Sequence, residues 1–150
     1  MTDTTPRPSG AWPISFLGRD EVLRIHEQFV RQAKCEAGLL HSNLLDSALA
    51  MPRQGFFGVE CHPQVWEKAA AYLFHITMNH AFVDCNKRTA VKAAILFLSR
   101  NRYICTAGNE QIVELVTKVA AGRWRKEDVA SFLQVHTIGP SDTHGVTGTV

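Results

Sequence analysis

The sequence has 150 residues, 45% of them hydrophobic and 20% charged, with a formal net charge of +2. That is one domain's worth of chain, able to bury a real core, in the ordinary composition of a soluble globular protein. A charge this mild argues against nucleic acid as a direct partner, which usually shows as a concentrated basic stripe. No apolar run approaches the ~20 residues of a membrane span, and Met1 to Gly10 lacks the apolar centre of a secretory signal. A cytoplasmic protein with no membrane partner is therefore expected. The four cysteines, at 35, 61, 85 and 105, form no CxxC pair, so reduced thiols are expected rather than a disulfide framework.

Residues 1–13 are rich in Thr, Pro, Ser and Gly and read as a flexible lead ahead of a domain over 14–136. From Asp20 to Ala33, Val22, Ile25, Phe29 and Ala33 recur at helical spacing, with His26 one turn away as a partly buried core histidine. Ser42 or Asn43 can cap a short helix carrying Leu44, Leu45, Ala48 and Leu49, and Pro52 stops it. Residues 53–60 contain Gly55, Phe56, Phe57 and Gly58. They read as a loop or small hairpin whose phenylalanines either tuck into the core or form a flap over a site.

Pro63 suits the first turn of a helix over about 63–79, in which Trp66, Ala69, Ala70, Leu73, Phe74, Thr77 and Met78 make a core stripe. A second stripe, Ala90, Val91, Ala94, Ile95 and Leu98, runs through about 87–100. Residues 101–108 read as a connection. Ile112, Leu115, Val116 and Val119 make a further helix closed by Gly122, and Val129, Phe132 and Leu133 make the last. Residues 137–150 are polar and glycine-containing and read as a disordered tail. With no alternating pattern outside 53–60, the fold class is all-α, a compact bundle of about six helices with a short flap.

Between the two strongest helices lies His80-Ala81-Phe82-Val83-Asp84-Cys85-Asn86-Lys87-Arg88, which gathers a base, a carboxylate, an amide and two cations. A loop that ends in a helix N-terminus offers unpaired backbone N–H groups and positive potential to an anion. Lys87 and Arg88 oppose the helix dipole there, which an anion would relieve. An imidazole suits a general base near neutral pH, which points to His80. Asp84 could accept from His80, hold a divalent cation or cap the next helix, and Asn86 could cap as well. A zinc site of His80, Asp84 and Cys85 lacks the usual ligand spacing. A Cys85 nucleophile would leave the following residues without a role.

This stretch resembles the signature of the Fic/Doc family, H-x-F-x-[DN]-[AG]-N-K-R in its Doc (death-on-curing) branch. Flanking residues resemble the Doc pattern in the same order: Phe16-Leu17, Val22 and His26, Leu45 with Ser47-Ala48-Leu49-Ala50 and Pro52, Phe57-Gly58, Lys68-Ala69-Ala70, and Phe97-Leu98 with Asn101. The AMP-transferring Fic enzymes resemble H-x-F-x-[DE]-G-N-G-R-x-x-R instead. Here Lys87 stands at their second glycine and Val91 at their last arginine.

The resemblance implies a toxin that binds ATP and Mg²⁺ and transfers the γ-phosphate to a hydroxyl of a protein target, expected to be elongation factor Tu. It implies His80 as base and Asp84 as the Mg²⁺ ligand. Asn86, Lys87 and the loop N–H groups would hold phosphate, and Arg88 would stabilise the transferred group. The Gly55–Gly58 segment would position the target peptide. No inhibitory [ST]-x-x-x-E-[GN] motif occurs, so a separate antitoxin protein is implied. AMP transfer and an inactive binding relative remain alternatives. Cys85 replaces the usual Ala or Gly; as a cysteine among cations it is expected to be a reactive, partly exposed thiol within the phosphate cradle.

Overall fold

A computed structural model describes residues 13–140. The helices are α1 (Arg19–Gln32), α2 (Ser42–Ala50), α3 (Val65–Asn79), α4 (Asn86–Arg100), α5 (Asn109–Ala120) and α6 (Lys126–Val135). Two short antiparallel pairs accompany them. Strands β1 (Gly55–Phe56) and β2 (Val59–Glu60) form a hairpin, and β3 (Ile104–Cys105) pairs with β4 (Thr137–Ile138). The expected lead of residues 1–12 and the tail of residues 141–150 lie outside the described residues.

Helix α3 is the centre of the bundle, packed against α2, α4, α5 and α6, and α1 lies across α4. Small residues make this possible. Ala69, Ala70 and Ala71 of α3 and Ala90, Ala93 and Ala94 of α4 are all buried, so the two helices approach closely. Tyr72, Phe97, Leu73 and Leu98 fill the layer beside them, each contributing about 2–3 kcal/mol by leaving water. The buried Tyr72 hydroxyl accepts from Leu17 N–H at 2.9 Å, and burial pushes its pKa up to about 12. Arg100 pairs with Glu21, which it holds at a pKa of about 2, pinning α1 to the end of α4.

Helix starts follow one device. At α1, α3, α5 and α6 the third side chain reaches back to the N–H before the helix: Glu21 to Gly18, Glu67 to Gln64, Gln111 to Gly108 and Asp128 to Arg125, all at 2.9–3.0 Å.

Several expectations are corrected. Met78 is 45% exposed and Ile95 37% exposed, so each apolar stripe overruns its buried face. Pro63 precedes α3, whose N-cap is Gln64. Of the residues expected in the tail, Thr137–Ile138 pair with Ile104–Cys105; two-residue strands are too short to show a period-2 pattern. In the 55–60 hairpin Phe57 (φ 51°) and Gly58 (φ 78°) form the turn, and Phe56 and Phe57 are both exposed rather than tucked in. At Gly55 a Cβ would stand 2.7 Å from Val59 O, so the close pairing requires glycine. The hairpin is moored by the fully buried Lys68, which donates to Glu60 Oε1 at 2.9 Å and to the carbonyl of His62.

Two histidines, His62 and His75, lie near Lys126. Burial first, then the nearby Lys126 and His62, holds His75 down at a pKa of about 4; burial likewise lowers His62. Lys126 Nζ lies 3.1 Å from His75 Nε2. In the native protein His75 stays uncharged down to about 4 and His62 is shifted in the same direction, while the unfolded chain protonates both near 6.5. Between those values the unfolded state binds more protons, so stability falls as pH falls. Carboxylates such as Glu21 join only below 4.5. The melting temperature is expected to decline as pH is lowered from 6.5 to 4.5, and His75→Gln should flatten that slope. A flat wild-type profile through this window would contradict the assignment.

Candidate active site

The chain leaves α3 through His80, in the left-handed region (φ 49°, ψ 51°), and enters α4 through Cys85, also left-handed (φ 62°, ψ 32°). Two such residues fold the loop back on itself, and one side chain holds the fold. Asn86, buried at the first position of α4, accepts from Phe82 N–H at 3.0 Å and donates to Phe82 O at 2.9 Å. Its amide nitrogen also lies 3.3 Å from His80 Nδ1. Asn86 therefore closes the loop rather than capping the helix. Phe82 is fully buried, and His26 stacks on it at 3.8 Å while the His26 Nε2 contacts Asp84 O at 2.8 Å.

A second segment runs antiparallel beside the loop. The N–H groups of Leu40 and His41 donate to Ala81 O, Leu39 bridges Phe82, and Val83 N–H donates to Gly38 O at 3.0 Å. Further along, Glu36 N–H donates to Asp84 Oδ2 at 3.1 Å, and Cys35 forms a disulfide with Cys85 across a Cα–Cα distance of 6.0 Å. The contact is close because Gly38 (φ 132°) has no side chain; a Cβ there would meet Val83 Cγ2 at 2.8 Å.

This disulfide corrects two expectations. Cys85 is not a free thiol, and a cysteine pair does exist. Sequence spacing could not reveal it, because the partner lies 50 residues away and only the antiparallel strap brings it within disulfide reach. Among the described residues the free cysteines are Cys61 and Cys105.

The loop borders a cavity of about 620 Å³ lined by His80, Asp84, Cys85, Asn86, Lys87 and Arg88, joined by Lys34, Cys35, Thr77 and Met78. Helix α4 departs from the common start: it has no side-chain cap, and the first intrahelical acceptor, Cys85 O, serves the N–H of Thr89 at 3.1 Å. The N–H groups of Asn86, Lys87 and Arg88 thus have no intrahelical acceptor, and positive potential collects at the cavity. Hydrogen bonds from Glu36 N–H and then Cys85 N–H, with Arg88 nearby, lower the pKa of the exposed Asp84 carboxyl, so it is ionised at neutral pH. Asp84 is held by these amides and not by His80. An ionised oxygen ligand beside an anion cradle fits a hard cation with phosphate. Thr77 is among the residues lining the same cavity, and its Oγ1 is buried without a partner.

Every expected residue of the 80–88 stretch thus faces one space. Gly55, Phe56, Phe57 and Gly58 do not line it; they stand on the separate hairpin. Lys34, Thr77 and Met78 escaped sequence reading, the last two because they fall on an apolar stripe that is only partly core. No described helix is long and apolar enough to cross a membrane.

Residues 16–98, more than half of the chain, match the sequence profile of the Fic/DOC family. The chain is 52% identical over 58 residues to a protein named Toxin Doc from Mycolicibacterium smegmatis (strain ATCC 700084 / mc(2)155), covering 39% of this chain and 45% of that protein. It is 34% identical over 70 residues to a protein named Protein kinase doc from Escherichia phage P1, covering 47% of this chain and 55% of that one. The chain spans about half the length of these curated relatives.

Asn86→Ala leaves the buried N–H and C=O of Phe82 unpaired, a loss of about 2–3 kcal/mol in denaturant titration. Unchanged stability would mean that the loop does not depend on this amide.

Proposed function

The chain belongs to the Fic/Doc family, and from that premise we propose that it is the toxin of a toxin–antitoxin pair. In this reading it transfers the γ-phosphate of ATP to a hydroxyl of a protein target, elongation factor Tu, and so stops translation in the cytoplasm. The observation that carries the reading is the single cavity shared by His80, Asp84, Asn86, Lys87 and Arg88 at the uncapped start of α4. The name of the phage relative, Protein kinase doc, supports the kinase form. Lys87 at the position of the AMP-transferring glycine, and Val91 at that of the arginine, weigh against nucleotidyl transfer.

ATP with Mg²⁺ would supply the phosphoryl group and neutralise its oxygens. The protein's own part is positioning and charge. His80, exposed at the cavity, takes the proton from the target hydroxyl. Asp84, ionised by its amide partners, is the metal-holding carboxylate. The Asn86, Lys87 and Arg88 amides and the Lys87 ammonium hold phosphate oxygens. Arg88 stabilises charge on the group in transit. The exposed hairpin, with Phe56 and Phe57 outward, offers a strand edge to the target peptide. A separate antitoxin restrains the toxin.

Incubation with ATP labelled at the α or the γ position tests this. Label reaching elongation factor Tu from γ is expected; label from α means AMP transfer, and label from neither means an inactive relative. His80→Ala should lower transfer by about 10²–10⁴-fold with an unchanged circular dichroism spectrum. A variant within a few-fold of wild type would remove His80 from the mechanism.

A further inference from the structure

We propose that Cys35 and Cys85 form an oxidation site that controls ligand binding at the cavity, with the dithiol competent and the disulfide restrained. Both cysteines line the cavity, on opposite sides of the antiparallel strap. The rungs from Gly38 to His41 join backbone to backbone and lie against the buried Ala81 and Phe82. The two rungs at the cavity end depend on side chains: Glu36 N–H on the Asp84 carboxylate, and Cys35 on Cys85.

The cross-link acts on the groups that a phosphate ligand needs. It fixes the neighbour of Cys35, Glu36, against Asp84, whose other oxygen is already taken by Cys85 N–H at 2.8 Å. It also keeps Cys35 Sγ 3.9 Å from the Arg88 guanidinium, which lies along the cavity wall. Opening the bond frees the strap end to leave Asp84 and frees Arg88 to turn toward a ligand, while the inner rungs hold the loop folded. The change is local and reversible.

The step balances with a low-molecular-weight disulfide as oxidant. One cysteine attacks its S–S bond and releases one thiol, leaving a mixed disulfide on the protein. The other cysteine attacks that sulfur, forms the Cys35–Cys85 bond and releases the second thiol. Two electrons pass to the oxidant, and two protons leave with its thiols.

The consequence for ligand rests on the anion-site reading above, so the test separates the two. ATP binding to the full chain is measured by calorimetry with Mg²⁺, after glutathione disulfide and after dithiothreitol, with peptide mapping of the cross-link. Oxidation is expected to weaken ATP binding at least about tenfold, reversibly. Cys35→Ser should lose the redox response, and Cys61→Ser with Cys105→Ser should keep it. Equal affinity in both forms, a response that survives Cys35→Ser, or cysteines 35 and 85 left unlinked by the oxidant each overturn the proposal.

If neither form binds ATP, the functional reading fails, and amide exchange decides the redox claim. Slower exchange at Glu36 and Cys85 in the oxidised form supports it, and equal exchange overturns it. The sulfurs and the Asp84 carboxylate lie within 4.8 Å of one another. Stoichiometric zinc retained by the reduced chain and lost in Cys35→Ser would make the trio a metal site and overturn redox control.

Discussion

The site depends on one buried amide. Asn86 joins the first turn of α4 to both polar groups of Phe82 and lies beside His80 Nδ1. Without it, a loop with two left-handed non-glycine residues, His80 and Cys85, would have little to offset its backbone strain. Phe82 contributes the complementary half: fully buried under the His26 ring, it fixes the loop to the core while its backbone fixes Asn86. The imidazole at one end and the cations at the other are thereby held at constant separation, as a positioning mechanism requires.

Electrostatics follow from how α4 begins. Four of the other helices close their first turn with a side chain from within, whereas α4 starts with its N–H groups open and two cations in that turn. Alone, that is an unfavourable arrangement. Asp84 compensates it in part, since the same amides that lower its pKa keep a negative charge at the helix entrance. The remaining positive potential faces the cavity with Lys34, Lys87 and Arg88, an arrangement that an anion would relieve.

Much of this is legible in the sequence, because local signals carry it. Local sequence signals place α1 to α4 within a few residues of their observed limits and mark the presence of α5 and α6, and the density of polar chemistry at 80–88 marks the loop. What the sequence hides is what depends on distance. Met78 continues the α3 stripe but is half-exposed, so periodicity alone cannot show that it lines the cavity. Thr77 shares that stripe, and only its unpartnered hydroxyl betrays it. The pairing of Ile104–Cys105 with Thr137–Ile138 joins segments too short for any period. Cys35 carries no local signal at all, since its meaning arises from the strap that lays it beside Cys85.

The strap also explains how a rigid loop can coexist with an adjustable cavity. Its inner rungs use backbone groups beside buried side chains, where an unmade hydrogen bond is costly. Its outer rungs use the exposed Asp84 carboxylate and the Cys35–Cys85 bond, where water can replace the first and reduction can open the second. His80 and Asn86 belong to the rigid part, since Phe82 anchors Asn86. Asp84 and Arg88 face the adjustable part, through Glu36 and Cys35. The two ends of the cavity wall thus rest on different supports: His80 and Asn86 on the buried Phe82, Asp84 and Arg88 on contacts with Glu36 and Cys35.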